Sequence, residues 1–105
     1  MSQFEKWQKF HPNFVTSELV KYKEIGEYVV ELSKGEGFVG EEVFGVTALK
    51  REDNRYFSVH DLSKLFFDRE AAEKYFQDLQ VAIQRCRGFK EDVFVGCVEK
   101  MLSER

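Results

Sequence analysis

Proline occurs once, at Pro12, and no Gly-, Ser- or Pro-rich stretch interrupts the 105 residues. Nothing therefore divides the chain, and residues 1–105 are read as one domain around one core. Histidine and cysteine occur twice each. There is no C-x-x-C and no His at ligand spacing, so neither a zinc site nor a metal or cofactor of another kind is expected. No apolar run approaches the ~20 residues a membrane helix needs. Met1-Ser2-Gln3-Phe4-Glu5-Lys6-Trp7 has neither the basic nor the apolar region of a secretory signal. The expectation is a soluble, cytoplasmic protein that does not meet a membrane. In that setting Cys86 and Cys97 are read as two reduced thiols in apolar surroundings, with a disulfide only where the compartment oxidises. A basic excess is missing as well: 16 Lys and Arg against 19 Asp and Glu leave a formal charge of -3. A polyanion finds no electrostatic footprint here, and duplex DNA is a poor candidate ligand.

What the chain has is aromatic and apolar mass. Hydrophobic residues make up 43% and eleven residues are Phe, enough for a dense core although a third of the chain is charged. From Val43 to Gly88 the hydrophobic period switches from two to about 3.6. Phe44, Val46 and Ala48 alternate with smaller or polar residues, Lys50 to Arg55 is a charged turn, and Tyr56 to His60 is again β-favouring. Then Ala72, Tyr75, Phe76, Leu79, Ala82, Ile83 and Cys86 draw one apolar stripe down a helix of about five turns.

Between Glu18 and Leu32 a helix (Leu19, Tyr22, Ile25, Val29, Leu32) competes with two strands (Val20, Tyr22; Tyr28, Val30, Leu32). Gly26 decides for strands, because a tight hairpin needs positive φ there and a helix interior would lose about 1 kcal/mol to it. Ser2 and Glu5 form a capping box for a short helix carrying Phe4, Trp7 and Phe10, stopped at His11-Pro12. Gly88 is the expected left-handed cap of the long helix. Asp92 is the expected start of a last helix carrying Phe94, Cys97, Val98, Met101 and Leu102, with a strand over Val93 to Val98 as the competing reading. The predicted fold is α+β: a four-stranded antiparallel meander (about 18–24, 27–33, 43–50, 55–60) packed by a long helix (about 69–87), with a short N-terminal and a short C-terminal helix.

Candidate sites are few. Gly35-Glu36-Gly37-Phe38-Val39-Gly40 matches G-x-G-x-x-G, but it runs into a strand instead of a helix N-terminus and carries acidic neighbours, so a flexible hairpin loop is expected. His60-Asp61 with Cys86 suggests nucleophile, base and orienter. Neighbouring strand residues point to opposite faces, so Asp61 is poorly placed to orient the His60 ring, and no catalytic residue is assigned. The Leu62 to Phe67 run reads as a packed connector. Both sheet faces carry apolar residues, and one helix shields only one of them. The function expected is therefore protein contact by a small acidic interaction or regulatory protein, self-associating as a homodimer, with Trp7, Phe10, Tyr22, Tyr28 and Phe57 as the binding residues. The alternative is a single-stranded nucleic-acid binder using Tyr22, Tyr28, Arg55 and Phe57. A third reading is a small enzyme using His60 or Cys86.

Overall fold

A computed structural model of the chain describes residues 2–10 and 18–104. The elements follow the order α1 (Gln3–Phe10), β1 (Glu18–Ile25), β2 (Tyr28–Glu36), β3 (Glu42–Glu52), β4 (Arg55–Ser58), a 3-10 helix (His60–Leu62), β5 (Lys64–Phe66), α2 (Arg69–Cys86) and α3 (Glu91–Ser103). The antiparallel meander β1-β2-β3-β4 and the helices are those expected from the sequence. Residues 18–25 and 28–33 are strands. Gly26 sits at φ +61 in a two-residue turn joining Ile25 to Tyr28, the positive φ that a tight hairpin requires. The expected helix stop at His11-Pro12 lies outside the described residues, as does the side chain of Phe10.

Five local expectations are corrected. The fourth strand ends at Ser58, and the run read as a connector holds a 3-10 helix and a fifth strand. The cause is β3: β4 covers only residues 49–52 of its eleven, so β5 returns to pair residues 44–46 and satisfies more of the same edge. The charged turn shrinks to Asp53-Asn54, with Asp53 at φ 56. Gly88 is not a left-handed cap. Arg87 stays right-handed (φ -63, ψ -14), and the Phe89 amide donates to the Cys86 carbonyl at 3.1 Å, closing a tighter turn that needs no positive φ. Asp92 lies one residue inside α3, whose N-cap is Lys90, and its carboxylate takes the Val93 amide at 2.9 Å.

The two cysteines are also not the free thiols expected. Cys86 and Cys97 form a disulfide, their Cα atoms 6.0 Å apart. The α2–α3 turn folds the second helix back on the first and brings the two positions within bridging distance, a juxtaposition that a spacing of 11 residues along the chain does not announce.

Two apolar clusters lie on opposite faces of the sheet. On one face Tyr28, Val30, Leu32, Phe44, Val46 and Ala48 pack against the predicted stripe of α2 and against Phe94 and Val98 of α3. Tyr28 stacks on Phe94 with ring centroids 4.2 Å apart. On the other face Phe4 of α1 packs on Val29, Leu49 and Tyr56, with Trp7, Leu19 and Tyr22 partly buried around it. The second face therefore has its own helical cover. Two N-terminal caps follow the sequence: the Ser2 hydroxyl accepts the Glu5 amide at 3.1 Å, and the Asp68 carboxylate accepts the amides of Glu70 and Ala71.

Candidate functional site

The residues nominated for binding are mostly used within the fold. Tyr28 is 2% exposed, in the α2-facing core. Trp7 and Tyr22 belong to the α1 cluster, and the Tyr22 hydroxyl donates to the Glu5 carboxylate at 2.9 Å and lies 2.9 Å from the Ser2 hydroxyl. Of the nominated residues whose side chains are described, Phe57 alone is an exposed large hydrophobic, beside Lys50 on the short edge strand β4. Tyr22, Tyr28, Arg55 and Phe57 do not form one surface: Tyr22 pairs with Glu31 on the α1 side, whereas Tyr28 and Phe57 flank Lys50 on the other. His60 lies in a shallow groove with Ser58, Ser63 and Lys64, where β4 and β5 part company along β3. Cys86 does not line that groove. It is fully buried and disulfide-bonded, so His60 and a free Cys86 thiol do not meet. Among the described residues, no group of three His, Cys, Asp or Glu is placed to hold a metal ion, and no helix is long and apolar enough to cross a membrane.

Of the other exposed large hydrophobics, Val81, Phe89 and Val93 lie on α2, the α2–α3 turn and α3, and four lie on the sheet's loops and β5. Phe38 and Val39 at the tip of the β2–β3 hairpin are 108% and 88% exposed, and Leu65 and Phe67 on and just after β5 are 61% and 73% exposed. Register places all four at one end of the sheet. Phe66, between Leu65 and Phe67, faces Phe44, and β3 starts at Glu42 directly after the hairpin tip. The turns Gly26-Glu27 and Asp53-Asn54 mark the opposite end, where Gln3 of α1 donates to the Asn54 side chain at 3.3 Å.

The tip is hydrogen-bonded from within. The Gly37 amide donates to the Glu41 carbonyl at 2.8 Å and the Gly40 amide to the Gly37 carbonyl at 3.2 Å. The Val39 amide donates to the Glu41 carboxylate at 3.0 Å. Gly40 takes φ +81, and a Cβ on Gly37 would overlap the Glu41 carboxylate, so two of the motif's glycines serve this loop and not a phosphate. The loop thus holds Phe38 and Val39 out in water instead of folding them back. Around it stand Glu36, Glu41, Glu42 and Glu18, with one cation, Lys34, 3.9 Å from the Glu18 carboxylate. The signal in the sequence for this site is a Phe-Val pair between glycines in a turn, where polar residues are the rule.

One buried carboxyl is not evident from the sequence. Glu31, in the middle of β2 on the α1 side, is 1% exposed and takes a hydrogen bond from the Gln8 amide at 3.5 Å. Burial pushes its pKa up to about 7, and the Gln8 bond offsets only part of that. The outer edge of the sheet offers little for strand addition: β1 carries Glu18, Lys21, Lys23 and Glu24, and its register shifts between Leu19 and Lys21. Compared with family models, with curated proteins and with solved structures, the chain finds no match.

Proposed function

We propose that the chain is a small interaction module that works by protein contact, and that the contact surface is the hairpin end of its sheet. The observation that carries this reading is the set Phe38, Val39, Leu65 and Phe67, the four most exposed large hydrophobics among the described residues, all at one end of the sheet, while Phe4, Tyr28, Phe44, Tyr56, Phe76 and Phe94 complete the core. Apolar surface gathered in this way costs solubility, and in a folded protein it marks a site of association more often than chance. The ordered loop supports the same reading, since a backbone already held in place loses less entropy on binding.

A photo-crosslinking phenylalanine analogue placed at Phe38, with Asn54 at the opposite end as control, tests the reading in the cell of origin. Discrete adducts are expected from position 38 and not from 54. The adduct mass distinguishes a second copy, at twice the chain mass, from a different protein. No adduct at 38, or the same adducts at both positions, removes the hairpin end as the contact.

A further inference from the structure

Charge decides what kind of surface can approach the hairpin end. Around the tip Glu18, Glu36, Glu41 and Glu42 stand against Lys34, while Lys64 and Asp68 adjoin Leu65 and Phe67. The acidic excess therefore surrounds the exposed Phe38-Val39 pair, and the Leu65-Phe67 side carries charges of both signs. The Glu41 carboxylate is fixed in orientation by the Val39 amide it accepts.

Resting on the contact reading above, we infer that the partner is a different protein presenting a cationic segment with one apolar face. Its apolar side chains sit on Phe38, Val39, Leu65 and Phe67, and its Lys or Arg residues meet the Glu36, Glu41 and Glu42 carboxylates. Two effects combine here: apolar burial supplies the affinity, and opposite charge supplies steering and selectivity. The same charges disfavour the other occupants. A second copy docked through this end by a two-fold axis sets one group of carboxylates against its own image. Nucleic acid and anionic bilayers are repelled within a Debye length of about 8 Å at physiological salt.

The probes are two designed helical peptides with the same Leu face, one with Lys and one with Glu on the polar face, titrated into the isotopically labelled full chain. The Lys peptide is expected to shift the amides of Phe38, Val39, Leu65 and Phe67. At low salt it should bind at least about tenfold more tightly than the Glu peptide, a difference of about 1.4 kcal/mol, and should weaken as salt rises. Phe38→Ser with Val39→Ser should lower that affinity at least about tenfold with an unchanged melting temperature. Glu36→Gln, Glu41→Gln and Glu42→Gln together should abolish the preference for Lys.

Equal binding of both peptides at this end overturns the charge inference and leaves the contact reading standing. Binding of neither peptide there overturns both. Shifts at these residues produced by raising the protein's own concentration, by oligo(dT), or by vesicles of phosphatidylserine and phosphatidylcholine overturn the choice of a cationic protein segment.

Discussion

The aromatic residues beneath α1 and those at the hairpin tip are used in opposite ways. At the α1 end Phe4 is fully buried, with the rings of Tyr22 and Tyr56 at 4.9 and 5.4 Å, and polar groups of Ser2, Glu5 and Tyr22 close the cluster with hydrogen bonds. At the hairpin end Phe38 touches water on all sides, and the hydrogen bonds hold the backbone instead of covering the ring. Aromatic content by itself therefore does not locate a binding surface. What separates the two is whether a helix returns over the ring, and α1 does so only at its own end.

Removing one aromatic from each end gives the largest expected effect. Phe4→Ala should cost about 3–5 kcal/mol, the usual range for truncating a buried Phe, and Phe38→Ala should stay within about 0.5 kcal/mol of the parent. Urea unfolding measures both. Equal losses would mean that the hairpin tip is part of the stabilising core, and the contrast between the ends would disappear.

A change of pH probes the α1 side through Glu31. Its folded pKa of about 7 lies above the 4.5 of a solvated glutamate, so the folded state favours the protonated acid. The stability it confers is complete below pH 4.5, falls as pH rises through 7, and is then level. The loss is about 3.5 kcal/mol at most, since each tenfold change in proton affinity is worth about 1.4 kcal/mol. Glu31→Gln should flatten this part of the profile and raise stability at pH 8, while hairpin-end resonances stay constant across the range. A parent profile without a fall between pH 4.5 and 8 would contradict the burial of the charge.

Both the burial of Glu31 and the disulfide show where the sequence stops being informative. The long helix is legible because its stripe is a local period: six of the seven predicted residues are fully buried and Tyr75 lies partly buried beside them. Gly26 is legible because one turn geometry demands it. By contrast, β5 pairs with residues some twenty positions back along the chain, and its formation depends on β4 being too short to finish β3's edge. No window of local sequence contains that information. Glu31 reads as an ordinary polar alternate in a strand, since only the docking of α1 on that face buries it. The hairpin tip is conspicuous in the sequence for its glycines, and its apolar pair gains meaning only because Trp7, Tyr22 and Tyr28 prove to be packed.

Reduction of the Cys86–Cys97 disulfide tests a third region, away from both ends. The bridge closes a loop of 11 residues, for which chain entropy predicts about 2–3 kcal/mol. A dithiol reductant, or Cys97→Ser, should lower stability by that amount. α3 should remain docked, because Phe94 and Val98 are fully buried in the sheet-facing core. Loss of α3 protection in hydrogen exchange on reduction would show that the disulfide, and not the packing, holds that helix.

The smallest effect sharpens the description of the hairpin tip. Glu41→Ala removes the acceptor of the Val39 amide on an exposed loop, and global stability should change by less than about 0.5 kcal/mol because the site borders water. The local consequence should be larger than the global one. Exchange of the Val39 amide should accelerate and its order parameter should fall, with no change at Tyr22 or Tyr56 near the other end. Glu41→Gln retains an oxygen acceptor and should restore the protection without the charge, which separates the carboxylate's part in holding the loop from its part in attracting a cationic partner. If Glu41→Ala leaves the Val39 amide as protected as before, the tip is ordered by its backbone bonds alone, and its carboxylate acts only through its field.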